Sequence, residues 1–320
     1  MRRVLPILSL FLLSPLIGEY LLGSLPMAMI AILPLMAAMY GSGALLIREV
    51  ARRTGKGWPS IVLLATAYGF VEEGFITQSL FNPNYLHLRL LDFGYLPAIG
   101  TALPWLVFVI SIHVIWSISV PIGLTETLFN DRRLERWLGP VTIPLFVLLF
   151  LAGSTLIGVF TYKQVPFMAS MPQLAGTAAI VLALVVAALA WPKPKETSGK
   201  PAPHAFILFG AALLSGSGLM LVEQLSPTRL HWPWSVCVAG LVAWEALFVA
   251  FMAVFTFGRS WTPAKRFAVM AGGLMVYVWV GFLTDMNLHG KADLAAHAGI
   301  AAAFVLVCGL AGWRAVRAKN

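Results

Sequence analysis

Two adjacent carboxylates, Glu72 and Glu73, stand inside an apolar run, Ala67-Tyr-Gly-Phe-Val-Glu-Glu-Gly-Phe-Ile-Thr-Gln-Ser79, that belongs to a stretch long enough to cross a bilayer. Ionisable groups are costly in hydrocarbon and are kept there for a partner or a cavity. A carboxylate in such surroundings is a candidate general base near neutral pH. One apolar run later comes His113, in Phe108-Val-Ile-Ser-Ile-His-Val-Ile-Trp-Ser117. At 1.5 Å per helical residue, Glu72 lies about 10 Å and His113 about 13 Å from the outer ends of their spans. A carboxylate–imidazole pair between these two helices is therefore expected, with catalytic roles for Glu72, Glu73 and His113. Neighbouring carboxylates on a helix diverge by about 100°, so one glutamate is expected to face the site while the other anchors elsewhere.

Tyr68 is one turn before Glu72 and Ser117 one turn after His113, which places both on the substrate or proton pathway. Pro121 cannot donate to the carbonyl of Ser117, so a kink and a free acceptor are expected below the histidine. Glu245, near the middle of a later run, and Asp285 join the same pathway group. A second constellation is Asp285-Met-Asn-Leu-His-Gly-Lys-Ala-Asp-Leu-Ala-Ala-His297, where Asp285, His289, Asp293 and His297 recur every four residues. On one helix face His289, Asp293 and His297 would be metal ligands, zinc being the ion for such a set. The structural alternatives are an Asp293 that caps its helix and histidines that only pack. Glu19 and Glu223 lie toward the outer ends of their runs, and Glu49 and Glu126 have arginines close by.

The elements that must position these groups follow from composition. The chain has 320 residues, 59% hydrophobic and 11% charged, with mean hydropathy +0.85. A soluble domain would carry about 25% charged residues. The fold class is therefore all-α, a polytopic transmembrane helical bundle. About ten spans are read, at roughly 4–25, 27–47, 58–80, 99–124, 140–161, 174–191, 204–224, 233–257, 267–285 and 292–313. With both termini cytoplasmic, 18 of the 22 basic residues fall on the inner side, which is the bias that membrane insertion follows. The net charge of +9 comes from these short clusters between apolar runs, and so gives no indication of nucleic acid. The partners expected are the lipid bilayer and a membrane peptide or small molecule. The expected location is a bacterial cytoplasmic (inner) membrane. Met1-Arg-Arg and the run after it read as an uncleaved first span, because the run contains Glu19. Cys237 and Cys308 lie in apolar runs and imply no disulfide framework.

Three divisions are read: spans one to six with the Glu-Glu/His site over 1–191, a cytoplasmic linker at 192–203, and spans seven to ten over 204–320. Gly41-Ser-Gly-Ala-Leu-Leu-Ile-Arg-Glu-Val50 resembles Gly216-Ser-Gly-Leu-Met-Leu-Val-Glu-Gln-Leu225, and Trp58-Pro59 matches Trp232-Pro233. Five spans separate the copies, which allows a 5+5 inverted repeat of the kind transporters use. The outer loop 81–98 is apolar enough to lie in the interface.

Glu72-Glu73 followed by His113 resembles the CAAX protease and bacteriocin-processing (CPBP) intramembrane protease family. That family carries Glu-Glu-x-x-x-Arg, then Phe-x-x-x-His, then His-x-x-x-Asn or a similar residue. Here Thr77 stands at the Arg position and Val109 at the Phe position, next to Phe108, while His289 and Asp293 fit His-x-x-x-Asp much later. The resemblance covers about fifty residues and implies a glutamate-activated water attacking a peptide bond, with histidine assistance. Three readings follow: an intramembrane hydrolase, a proton-coupled secondary transporter with inverted repeats, and a non-catalytic membrane assembly subunit.

Overall fold

The computed structural model describes residues 4–194, 199–226 and 229–318. Met1, Arg2 and Arg3, and residues 195–198 of the linker read above, lie outside these described residues. Among the described residues ten helices are long and apolar enough to cross a membrane: α1 Val4–Leu21, α2 Met27–Arg53, α3 Trp58–Ile76, α4 Leu103–Leu128, α5 Thr142–Gln164, α6 Met171–Ala190, α7 Ala205–Leu225, α8 Trp234–Thr256, α9 Pro263–Ala292 and α10 Leu294–Arg317. This is an integral, multi-pass, all-helical membrane protein. Strand content among the described residues is one short hairpin, β1 Tyr95–Leu96 with β2 Thr101–Ala102, in the loop between α3 and α4.

Proline opens several of these helices: Pro59 in α3, Pro104 in α4, Pro172 in α6 and Pro263 in α9. The first helical N–H has no intrahelical acceptor, so proline loses nothing there. The helices are not equally inside. In α4, 67% of the most apolar window is buried, against 6% in α8, 11% in α6 and 17% in α5. Those three are lipid-facing, and α1, α2, α3, α4 and α9 form the interior that can hold polar groups.

Two apolar cores flank that interior. One centres on Trp116 and Tyr277, whose rings stack at 4.4 Å, with Trp116 Nε1 donating to the Gly273 carbonyl at 2.8 Å. The other gathers Leu10, Tyr40, Tyr68, Ile118 and Phe146 from the first five spans. Close approach of helices in lipid requires small residues at the crossing. A Cβ at Gly41 would lie 2.1 Å from the Phe11 carbonyl oxygen, and one at Gly281 would lie 2.1 Å from that of Leu21. These contacts draw α1 against both α2 and α9.

The helical ladder is widened at four places in the interior, and each place carries a polar residue of the first four spans. Wide i→i+5 turns occupy Leu16–Leu21, Ala37–Gly41, Glu72–Ile76 and His113–Ser119. Thr77 N, for example, donates to the Glu72 carbonyl at 2.9 Å. Such single-turn insertions re-aim side chains and recur at functional sites. The widened turn of α4 precedes Pro121, and the carbonyl that proline frees at Ser117 accepts from Ser14 Oγ at 2.6 Å.

The region 285–297 differs from the sequence reading. The helix beginning at Pro263 continues to His289 and ends at Gly290, whose φ is +72°. That left-handed residue breaks the axis, so the four-residue spacing does not make one stripe. Asp285 and His289 lie before the break and Asp293 and His297 after it.

Candidate functional site

His113 is the hub. Its Nε2 lies 2.7 Å from Glu73 Oε1, and its Nδ1 lies 3.3 Å from Glu72 Oε2. Both glutamates therefore face the site, which corrects the expectation that one would anchor elsewhere. The two carboxylates diverge from their helix, but an imidazole presents its nitrogens on separate edges, and long glutamate arms reach both. All three side chains are buried. With Nε2–H donated to Glu73, Nδ1 faces the Ser117 hydroxyl, 3.3 Å away, and Glu72.

Glu73 is held further by Thr77 Oγ1, which donates to its Oε2 at 2.9 Å, and by the Ser79 hydroxyl. Trp105 Nε1 donates to Ser79 Oγ at 3.1 Å, tying the end of α3 to the start of α4. Glu72 Oε1 meets the Tyr40 hydroxyl, which also meets Glu19 Oε1. Ser24 Oγ donates to Glu19 Oε2 at 2.5 Å. The rings of Tyr40 and Tyr68 lie 6.0 Å and 6.2 Å from that of His113. Glu72 Oε2 is buried beside His113 Nδ1, and the buried Tyr68 hydroxyl faces the same carboxylate.

Glu19 and Tyr40 are the members that sequence reasoning missed. Glu19 lies toward the outer end of its run, where half-solvation is a sufficient account of it, and tyrosine is common at membrane interfaces. A usable signal was present: Glu19 and Ser24 close the first span while Tyr40 precedes Gly41 in the second.

The remaining predicted residues sit elsewhere. Glu245 contacts the Ser111 hydroxyl. Ser111 and His113 are two residues apart, about 200° around α4, so Glu245 is on the other side of that helix from the site. Asp285 is buried beside Asp293, His289 and His297. Asp293 Oδ2 accepts from Met27 N at 2.7 Å instead of capping its own helix, and His289 Nε2 lies 3.2 Å from the Ser24 carbonyl oxygen. His297 packs its ring edge-on to Phe282 at 4.8 Å. This second cluster pins the turn between α1 and α2. It does not join Glu72, Glu73 and His113.

Nor do its donors gather as the metal reading required. Among the described residues, the group with ligand spacing is Glu72, Glu73 and His113, whose donor atoms lie within 4.8 Å of one another. That set fits a divalent ion in type and spacing, with one oxygen from each glutamate and one histidine nitrogen.

A cavity of about 550 Å³ lies between the C-terminal end of α3 and the C-terminal half of α5, with Ile76, Thr77, Gln78, Ser154, Gly158 and Tyr162 among its walls. Thr77 links it to Glu73. The loop between α3 and α4 sends Tyr85 toward the cluster; burial pushes its phenol well above the usual range, and the carboxylates Glu73, Glu19 and Glu72 reinforce the effect.

A family model described as an uncharacterized membrane protein family matches residues 8–318. No curated protein matches the chain.

Proposed function

We propose that this chain, which belongs to that uncharacterized membrane protein family, is an intramembrane hydrolase acting on an amide bond of a membrane-embedded peptide. One observation carries the reading. Two carboxylates of α3 converge on the two nitrogens of one buried imidazole of α4, Glu73 Oε1 2.7 Å from Nε2 and Glu72 Oε2 3.3 Å from Nδ1. The order Glu-Glu then His also resembles the CPBP proteases, with Thr77 and Ser79 serving Glu73 where that family has an arginine.

In this mechanism Glu72 Oε2 takes a proton from a water molecule. The resulting hydroxide adds to the peptide carbonyl carbon. Protonated His113 stabilises the oxyanion from Nδ1, and Glu73 fixes the ring through Nε2. The C–N bond then breaks as Glu72 returns its proton to the leaving nitrogen. The products are a carboxylic acid and an amine, and Glu72 is again a carboxylate. Positioned proton transfer of this kind is worth about 10²–10⁴-fold in rate. A divalent ion held by Glu72, Glu73 and His113 would supply Lewis acidity to the carbonyl. The substrate approaches from the cavity between α3 and α5, on the side that the charge bias places away from the cytoplasm.

A second reading, proton-coupled transport, is favoured by the unbroken contact path Glu19–Tyr40–Glu72–His113–Glu73. Against it, Glu245 contacts Ser111, on the other side of α4 from Glu72. A non-catalytic assembly subunit would leave the two glutamates against lipid or an arginine, whereas they face an imidazole. The deciding experiment substitutes Glu72, Glu73 and His113 singly. Processing of co-expressed membrane peptides is followed beside proton flux in vesicles. Loss of processing with no flux in the wild type supports hydrolysis. Proton flux that these substitutions abolish, with no processed peptide, replaces it by transport.

A further inference from the structure

We infer that the inner ends of α4, α9 and α10 form a binding site for the phosphate of an anionic phospholipid, held by Arg133, Arg266 and Arg314. Both α9 and α10 pack against the last turns of α4. Their own crossing is close there, since a Cβ at Gly312 would lie 2.8 Å from Phe267 Cε1. Arg266 is next to Phe267 and Arg314 is two residues past Gly312, and both reach the end of α4. Arg266 Nη2 donates to Asn130 Oδ1 at 3.2 Å and its Nη1 to the Trp261 carbonyl at 2.8 Å, while Arg314 Nη1 donates to the Leu128 carbonyl at 3.2 Å. Arg133 follows in the same loop, near enough to Arg266 for the two charges to repel.

Among the described residues none of the three has a carboxylate within ion-pair distance. Glu126, the buried carboxylate of this region, is already taken by Arg48 at 3.0 Å and Arg52 at 2.6 Å. Asp131 and Glu135, the acids of the loop, are exposed, and Glu135 lies 3.5 Å from Arg132. Arg133 and Arg266 are half-buried, where water shields like charges poorly. Each guanidinium carries five N–H donors in a planar fork that suits phosphate oxygens. Among the described residues the bonds above leave most of those donors unused. The setting selects a lipid over a dissolved anion. The three cations lie at the ends of spans, at headgroup depth, on the side the charge bias assigns to the cytoplasm. Leu306, Leu310 and Arg314 follow one another at four-residue spacing on α10, so one side of that helix carries the cation and then a track for an acyl chain. Leu306 and Leu310 are 74% and 46% exposed along that track. Exposed Trp313, with the Arg317 guanidinium 4.3 Å over its ring, marks the interface beside them. The site is in the opposite half of the bundle from Glu72, Glu73 and His113 and does not depend on the hydrolase reading.

The test is native mass spectrometry of the full-length protein in neutral detergent, titrated with phosphatidylglycerol or with phosphatidylcholine of the same chains, whose choline offsets the phosphate charge. The wild type is expected to bind phosphatidylglycerol more tightly. Arg266→Gln is expected to weaken phosphatidylglycerol about fivefold, and Arg133→Gln combined with it about 25-fold, with phosphatidylcholine unchanged. Thermal unfolding without added lipid establishes that each variant is folded. Should the double variant not fold, Arg314→Gln, on an exposed helix face, is read in its place with the same loss of about fivefold. Arg136→Gln, at an exposed arginine of the same loop, is the control. A loss there as large as in Arg266→Gln means that binding follows net charge, and it overturns the site. Equal affinity of the wild type for the two lipids overturns it as well. Inorganic phosphate that displaces phosphatidylglycerol at matched ionic strength overturns the lipid as the occupant in favour of a dissolved anion.

Discussion

Two buried charge clusters occupy opposite halves of the bundle, and they are balanced differently. At the end the charge bias assigns to the cytoplasm, two carboxylates meet three guanidinium groups. Glu126 takes Arg48 Nε at 3.0 Å and Arg52 Nη2 at 2.6 Å, and Glu49 takes Arg53 Nε at 2.7 Å. The spare donors of Arg48 reach the Glu135 and Arg133 carbonyls at 2.8 and 2.7 Å, and its guanidinium lies 3.4 Å over the Trp137 ring. Glu49 Oε2 also accepts from Trp137 N at 3.0 Å. Arg133 lies in the adjoining loop, and burial draws it below the usual arginine range. In the outer half, three carboxyls of α1 and α3 meet one imidazole and one phenol.

The difference separates holding from reacting. Arginine keeps its charge at any accessible pH, so a network compensated by arginine has one protonation state and one geometry. Such a network fastens α2 to α4 and to the loop after it. Carboxyls that face imidazole and phenol have partners that exchange protons, so the outer cluster can change state without changing shape.

The comparison can be broken by substitution, and the largest effect belongs to the outer cluster. Glu72→Gln should lower hydrolysis about 10²–10⁴-fold while costing less than about 1 kcal/mol of stability, read by peptide processing and by thermal unfolding in detergent. If it unfolds the protein instead, the two clusters are of one kind. Arg48→Met should show the opposite pattern. It strands Glu126 with one fewer partner and should cost about 3–5 kcal/mol, with activity per folded molecule kept. Asp293→Ala removes the acceptor of Met27 N and should cost about 1–3 kcal/mol in the same unfolding assay. A loss of activity at constant fold would join 285–297 to the site after all. Glu245→Gln should be the mildest, changing stability by less than about 0.5 kcal/mol and leaving peptide processing intact. An effect there as large as at Glu72 would revive the transporter reading.

The span count is legible from the chain because lipid leaves few solutions for a backbone. Each apolar run of sufficient length must satisfy its own hydrogen bonds as a helix. The pairing of Glu72 with His113 is legible for a related reason, since both depths follow from the rise per residue along neighbouring spans. Proline chemistry is equally local, and the carbonyl freed by Pro121 was open to anticipation, though its taker, Ser14, was not.

Other features depended on how helices meet. The second glutamate turned inward because an imidazole offers two edges, a fact of the partner and not of α3. Glu19 and Tyr40 joined the site because Gly41 lets α1 approach α2, and no spacing within either span encodes that crossing. The spacing at 285–297 misled because the left-handed Gly290 broke the stripe and the backbone of Met27 claimed Asp293. By itself the sequence determined an integral ten-span helical protein with ionisable groups held in the membrane, since burial in lipid is a property of each segment alone. Which of those groups share protons was decided by tertiary structure, since a hydrogen bond needs both partners within about 3 Å and only the packing of helices brings them there.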